Sequence, residues 1–365
     1  MSRTIIEIHT LKNYPFSNLN RDDFGTPKNY IFAGKPHGRI SSQSLKRSWR
    51  EYFRENCECE ISTRTRALPT MLKESLEEMG KDEEFIELAV AAVKSLFESE
   101  KKSKKKDEDK SEKAQKKKYI TGQVIPFSAA EIELFKEEFA NVSAATLKDK
   151  KKLAAFVKDL EEHFNDLGNT VDIALFGRMV TSSVMSSPEA AMQVSHATST
   201  NAVIIEQDVF TAVDDILKTG GAAMYDVAEY NSCCYYEYGC LDFDLLAENL
   251  GGDRECAAKV LPELIKAIAY ANPSGKSKST GTNALPIAMI VEKKTVPYSL
   301  VDAYVETSDD ITESVQKLAN QCDIMQEKFG IEADRYWFSV PNVECRSAEN
   351  VKTFPELIEK VSALV

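Results

Sequence analysis

The segment from Lys101 to Lys118 constrains the fold of this chain more than any other. It holds ten lysines and four acidic residues, and Ala114 is its only apolar residue. Charged side chains are not buried without partners, so the segment cannot contribute to a core and has to form a loop at the surface. By itself such a run indicates no more than a solubilising tether.

Helical spacing of apolar residues is found on both sides of this loop. It runs through Leu72–Phe97, Ile132–Phe139 and Leu153–Phe164. We therefore expect residues 60–190 to form a mostly helical insertion that carries the lysine-rich loop.

Strand and helix patterns alternate outside the insertion. In chain order they are a strand at 3–11, a helix from Ser42 to Arg54, strands at 194–200 and 233–243, a helix at 255–271 and a strand at 285–291. This order predicts an α+β fold with the ferredoxin-like arrangement that RNA-recognition domains share. A helix at 311–329, a strand at 336–340 and a helix at 354–364 follow it.

Two further segments are predicted from their turn-forming residues. Glycine and proline recur between Asn13 and Ser41, which indicates a long polar loop, and residues 201–232 resemble a protruding hairpin or arm. The aromatic motif that stacks bases on the sheet of ordinary RNA-recognition motifs is missing. Base stacking on the sheet face is therefore not expected.

Composition narrows the class of protein. The 365 residues are 43% hydrophobic and 28% charged, without 18 consecutive apolar residues or an N-terminal apolar signal segment, so we expect a cytoplasmic globular protein and no membrane partner. The eight cysteines form no C-x2-C pair, and the four histidines are not at zinc-ligand spacing from them. No metal or other cofactor is expected.

The charge of residues 21–54 differs in sign from that of the whole chain. The chain carries a net charge of −12, yet these residues hold eight Lys and Arg against three Asp and Glu, a local charge of +5. A groove binds through its local field, so an acidic protein can still carry an anion-binding surface.

The helix that begins near Ser41 combines a basic stripe with an apolar face. Leu45, Trp49 and Phe53 recur at helical spacing and should face the core, while Lys46 and Arg50 lie on another side. Hydroxyls and N–H groups at the start of a helix can also donate to a phosphate. The pattern indicates a phosphate-binding groove, although an ordinary exposed amphipathic helix has the same spacing.

The Asp22–Asp23 pair allows two interpretations. Adjacent carboxylates can hold Mg²⁺ for phosphodiester cleavage, or they can cap N–H groups of a turn and hold Arg21 in place. No nucleotide-binding glycine motif, zinc-protease motif or nucleophile elbow occurs elsewhere in the chain.

Several separate blocks resemble one protein family. The string Leu19–Asp23 (LNRDD), followed by Gly34–Arg47 (GKPHGRISSQSLKR), closely resembles the CasC family, the backbone subunit of the type I-E CRISPR Cascade complex. Blocks at Val171–Met179, Ser195–Ala197, Phe210–Asp215 and Glu248–Gly252 agree in the same order.

The resemblance implies a hand-shaped protein. Its palm would comprise residues 1–59, 191–200 and 233–365, its fingers residues 60–190 and its thumb residues 201–232. In that family, copies of the subunit stack along a CRISPR guide RNA, together with other Cascade subunits, and the guide then pairs with target DNA.

The resemblance also implies which residues hold the guide. They are expected to be Asn20, Arg21, Lys28, Lys35, Arg39, Ser41, Ser42, Gln43, Lys46, Arg47, Arg50 and Arg178, with Met179 as a wedge beside the bases. We further hypothesise weak contact between the lysine run and DNA.

A non-enzymatic role is expected, because the resembled type I-E group does not cleave. The alternative is a metal-dependent endoribonuclease of a type III-like complex that uses Asp22 and Asp23.

Overall fold

The computed structural model describes residues 3–97, 119–180, 182–212, 216 and 224–365. The described residues form two compact units. The first contains residues of the ranges 3–58, 192–247 and 253–365, and the second contains residues of 59–191 together with 248–252. The lysine run Lys101–Lys118, and with it the hypothesis of DNA contact there, lies outside the described residues.

The strands of the first unit are β1 (Ile5–Ser17), β2 (Asn29–Phe32), β3 (Lys35–Ile40), β6 (Met192–Val194), β7 (Ala197–Ala202), β8 (Glu206–Ala212), β9 (Met224–Asp242), β10 (Pro286–Lys294), β11 (Asp334–Ser339) and β12 (Glu349–Val351), and those of the second are β4 (Thr63–Thr65) and β5 (Ile125–Phe127). The helices of the first unit are α1 (Ser42–Asn56), α8 (Phe243–Asn249), α9 (Arg254–Tyr270), α10 (Ser277–Thr280), α11 (Ile311–Phe329) and α12 (Phe354–Ser362), and a 3-10 turn covers Val301–Tyr304. Those of the second are α2 (Leu68–Glu78), α3 (Glu83–Leu96), α4 (Ala129–Asn141), α5 (Ala144–Lys148), α6 (Lys150–Asn165) and α7 (Val171–Phe176).

The large sheet of the first unit has a ferredoxin-like centre. Its strands follow the order β12-β11-β10-β1-β9-β7-β3-β2. The central four, β10-β1-β9-β7, are antiparallel to their neighbours, with α1 between β1 and β7 and α9 between β9 and β10. The α+β fold with a modified RNA-recognition core is therefore confirmed.

The segment between Asn13 and Ser41 is not one long loop, so that prediction is wrong. Strand β1 continues to Ser17 through Pro15, which a register shift between Tyr14 and Ser17 accommodates, because a bulge needs no ladder hydrogen bond from the proline. Strands β2 and β3 then form a hairpin through the two residues Ala33 and Gly34. Both have positive φ, as a tight hairpin turn of this length requires.

Helix α1 forms where the sequence predicts it. Ser41 is its N-cap and accepts a hydrogen bond from the Ser44 N–H. Leu45, Trp49 and Phe53 are buried, as their spacing indicates, and the helix lies beside α9. Arg54 in the last turn matches the negative end of the helix dipole.

The second unit is built on a helical core of its own. Leu72, Phe135, Phe139 and Phe164 are buried in one apolar cluster, with rings of Phe135 and Phe164 4.6 Å apart. Helix α4 begins with a capping box, in which Ser128 and Glu131 satisfy each other's backbone N–H groups.

A two-stranded hairpin projects from the sheet where residues 201–232 are predicted to form an arm. Its strands pair from Glu206 with Tyr230 to Ala212 with Met224, and β8 is exposed along its whole length. The second strand is continuous with the large sheet, since β9 runs from Met224 to Asp242 without a break. Within the part of the chain that is described, no helix is long and apolar enough to cross a membrane.

One face of the sheet buries a network of charged side chains. Glu292 contacts Arg335 Nε at 2.6 Å, Lys294 Nζ at 2.7 Å and His9 Nε2 at 3.2 Å, and Lys294 also bonds to Glu7. Burial alone raises the pKa of Glu292, but the hydrogen bond with His9 and the charges of His9, Arg335 and Lys294 outweigh it, so the pKa is lowered. The carboxylate is the anion that balances two buried cations.

Replacement of this anion should destabilise the fold. Glu292→Gln leaves buried Arg335 and Lys294 with one counter-charge fewer, and we expect a loss of about 3–5 kcal/mol in the free energy of unfolding, measured in urea. The control Glu255→Gln breaks an exposed pair with Lys259 and should cost less than about 1 kcal/mol.

The pH dependence gives a second readout of the same substitution. Because the folded pKa of Glu292 is below its unfolded value, its stabilisation is present above about pH 4 and is lost as the pH falls further. The difference between the wild type and Glu292→Gln should shrink in acid. A difference that stays constant down to pH 3 would contradict this assignment.

Candidate nucleic-acid interface

The loop between β1 and β2 is held in a defined conformation. The Asp22 carboxylate accepts from the N–H groups of Phe24 at 2.9 Å and Thr26 at 3.0 Å, which closes a tight turn. The Asn18 amide donates to the carbonyl of Gly25 at 2.8 Å and to that of Glu229 on β9 at 2.7 Å. Arg21, next to this turn, is exposed.

Asn20 joins this loop to the start of α1. Its side-chain oxygen accepts from the Ser41 N–H at 2.9 Å, and its carbonyl accepts from the Lys28 N–H at 2.9 Å. Ser41 is in turn the N-cap, and the first-turn residues Ser42 and Gln43 follow it. The N–H groups at a helix start have no acceptor within the helix, so this end presents a partial positive charge.

Lys28 and Arg39 form a pair of cations beside the loop. The Arg39 N–H donates to the Lys28 carbonyl at 2.8 Å, and the Arg39 guanidinium donates to His196 Nδ1 at 2.9 Å. Burial, with the charges of Arg39 and Lys28, lowers the pKa of His196. The imidazole is therefore neutral at neutral pH and orients Arg39 without cancelling its charge.

The basic residues of α1 do not all lie on its solvent side. Lys46 and Arg50 are half-buried, whereas Arg47 and Arg54 are exposed. Burial and the neighbouring charge of Arg50 lower the pKa of Lys46. A bound phosphate would relieve this repulsion, which favours anion binding at this position.

Arg47 faces a different surface from Lys46. It lines a groove of about 370 Å³ between α1 and the end of α9, with Glu51, Tyr52 and Tyr270. Glu51 also pairs with Arg54 at 2.8 Å. Lys35 is likewise occupied by an acidic residue, since its ammonium lies 2.6 Å from the Glu306 carboxylate.

A second lysine-bearing loop reaches this region, and sequence reasoning missed it as a binding element. Gly275 packs so closely on the chain at Asn18 and Leu19 that a Cβ would lie 2.7 Å from the Asn18 carbonyl oxygen. Lys276 follows with a φ of 48° and bonds through its ammonium to the Tyr230 hydroxyl at 3.3 Å. The signal was present in the sequence as lysines among Ser, Thr and Gly at Ser274–Thr282.

Arg178 and Met179 belong to the second unit and differ in burial. The Arg178 guanidinium is buried, 2.7 Å from the Glu131 carboxylate, so it stabilises the start of α4 and is not presented to a ligand. Met179 is 92% exposed and does not pack in a core. Gly177 precedes them with a φ of 74°, and a Cβ added there would lie 3.0 Å from the Ala190 backbone nitrogen, so this turn favours glycine.

Asp22 and Asp23 are not part of any cluster of metal-ligating side chains in the described ranges. Among the described residues, the group whose side chains could together hold a metal ion is the buried set of Glu7, His9 and Glu292. Lys294 and Arg335 already neutralise its carboxylates, so the site is electrostatically unsuited to a further cation.

The fold and this surface define a class of protein, in which a sheet of RNA-recognition architecture carries cations at the start of its first helix. The chain belongs to the CT1975-like protein family, whose model matches residues 6–361. No curated protein matches it.

Two solved structures resemble the whole chain. A chain described as "CRISPR RNA-guided surveillance complex, pre-nicking" is 26% identical with a TM-score of 0.84, over 98% of this chain and 99% of that one. A chain described as "CRISPR RNA-guided surveillance complex" is 21% identical with a TM-score of 0.72, over 99% of this chain and 100% of that one, and supports the fold alone. The resemblance to Cascade backbone subunits is confirmed.

Close packing of the two loops can be tested at Gly275. In Gly275→Ala the new methyl group meets backbone atoms that cannot rotate away, so the loop has to move from Asn18 and Leu19. We expect a loss of about 1–3 kcal/mol in the free energy of unfolding. Gly168→Ala, where nothing lies within 4 Å of the added atom, is the matched control. Equal stability of the two variants would contradict the packing described.

Proposed function

We propose that this chain is a guide-RNA-binding backbone subunit of a Cascade-type surveillance complex. The observation that supports this most directly is the full-length likeness to a surveillance-complex chain, at a TM-score of 0.84. Family membership over residues 6–361 supports the same conclusion.

The guide would be held by its phosphates on the surface that Arg21, Lys28, Arg39 and the start of α1 form. Ser42 and Gln43 supply N–H groups there, and Lys46 and Arg50 supply charge one and two turns later. Such contacts do not depend on base identity, so a single subunit can bind any guide. Lys276 and Lys278 extend this surface, whereas buried Arg178 is left out of the binding set.

Lys35 and Arg47 stay in the proposed set with a smaller contribution. Lys35 would have to exchange Glu306 for a phosphate, and this exchange lowers the net gain. Arg47 is exposed and could contact an RNA strand that runs along α1.

The proposal includes further partners. Copies of the chain, the other subunits of the complex and a target DNA that pairs with the guide would all contact it in the cytoplasm. Apolar side chains on both faces of the exposed hairpin, including Val209, Phe210 and Tyr225, support the idea that this arm is covered in an assembly.

A non-catalytic role is part of the same proposal. Asp22 is used to close its turn, which agrees with the capping interpretation of the Asp22–Asp23 pair. Among the described residues, neither Asp22 nor Asp23 belongs to a group of three or more side chains that could together hold a metal ion.

The first tests concern assembly on a guide RNA and the contribution of the basic side chains to RNA binding. Co-expression with a CRISPR RNA should give a large particle that contains a defined guide.

In purified chain, Lys28→Gln combined with Arg39→Gln should weaken binding of single-stranded RNA and lower the slope of log K against log salt by about 2. Lys259→Gln, on an exposed part of α9, should leave both unchanged. Wild-type chain that recovers no RNA would refute the proposed function.

The absence of cleavage is tested with Mg²⁺. We expect the assembled complex to leave a complementary target RNA intact, in wild type and in Asp23→Ala alike. Cleavage by the wild type that disappears in Asp23→Ala would instead establish the endoribonuclease.

A further inference from the structure

A cavity of about 570 Å³ lies at the base of the hairpin, within the first unit. It is lined by Phe16, Phe210, Tyr230, Lys276, Ser279 and Thr280, among others. Its walls thus come from the bulge of β1, both strands of the hairpin and the loop that Gly275 anchors. Of the residues proposed above to hold phosphates, Lys276 alone lines this cavity.

One wall is aromatic and faces outward. The Phe16 and Tyr230 rings are stacked, with centroids 4.2 Å apart and planes at 24°. Phe16 is 39% exposed and Phe210 41% exposed, although both are large apolar side chains. The register shift between Tyr14 and Ser17 is the reason, because it takes Phe16 out of the regular alternation of β1.

Most of the remaining lining is polar and includes a cation. Lys276 Nζ lies 4.8 Å from the centroid of the Tyr230 ring and 3.3 Å from its hydroxyl, which fixes the ammonium beside the aromatic wall. The Ser279 and Thr280 hydroxyls donate to the Lys276 carbonyl at 2.9 and 3.1 Å, so their oxygens can accept from a ligand. Asp208 adds an exposed carboxylate that can accept from an amino group. A cation, hydrogen-bond acceptors and exposed rings are therefore gathered around one space.

We propose that this cavity is a subsite for one nucleobase of bound single-stranded RNA. A base stacks on Phe16, the Lys276 ammonium attracts its phosphate, and hydroxyls and Asp208 meet its polar edge. An apolar protein side chain could pack on the rings, but it would not bind the Lys276 ammonium or the Asp208 carboxylate. The inference rests on the proposed RNA-binding function and adds a contact with a base to contacts with phosphates.

The subsite is tested with Phe16→Leu, which keeps apolar bulk but removes the ring. Base stacking on an aromatic ring strengthens binding of single-stranded RNA, so the affinity should fall about tenfold when the ring is removed. Phe16→Tyr restores the ring and should bind within about twofold of wild type. Phe329→Leu, at a more exposed phenylalanine at the end of α11, is the control for loss of a surface ring and should bind as wild type does.

A base-free RNA separates a nucleobase from other occupants. With an abasic RNA of the same length, wild type and Phe16→Leu should bind with equal affinity, since no base is left to stack. The proposal is overturned if Phe16→Leu binds normal RNA as well as wild type does, or if its loss persists on abasic RNA. The latter outcome would indicate that Phe16 contacts protein. Failure of wild type to bind any RNA would instead refute the proposed function itself.

Discussion

The double pairing of β1 is the constraint on which the rest of the first unit depends. This strand is hydrogen-bonded to β10 along one edge and to β9 along the other, so its side chains are buried on both faces of the sheet. Where the pairing shifts, after Tyr14, the chain turns Phe16 outward, and where it ends, at Ser17, the loop with Arg21 begins. The candidate interface is therefore placed by the end of one strand.

Burial on both faces forces charged side chains of β1 to find partners inside the protein. Glu7 and His9 join the network around Glu292 on one face. On the other face, Lys12 is fully buried and donates to the Ala271 carbonyl at 2.8 Å, at the negative end of α9. Burial lowers the pKa of Lys12, although the charge of Glu237 opposes this.

The contact of Lys12 with Ala271 links the core to the second loop of the interface. Tyr14 adds a hydrogen bond to the Asn272 side chain at 2.7 Å, so two neighbouring buried residues of β1 fix the chain just before Gly275. The loop that carries Lys276 is thus positioned by the same strand that positions Arg21. Strand β1 therefore positions both the loop that carries Arg21 and the loop that carries Lys276.

The sequence by itself determined the ferredoxin-like order of elements, the cap and apolar face of α1, and helices within Leu72–Phe97, Ile132–Phe139 and Leu153–Phe164. These features follow from the local spacing of apolar and capping residues, which is a property of the sequence itself. The sequence did not reveal the hairpin at Ala33 and Gly34 or the bulge at Pro15, because glycine and proline mark loops and irregular strands alike. Tertiary structure alone decided that Arg178 is buried against Glu131 while Met179 is exposed, and that Lys276 lies beside Tyr230. These positions depend on contacts between residues distant in the chain, and such contacts leave no periodic signal in the sequence.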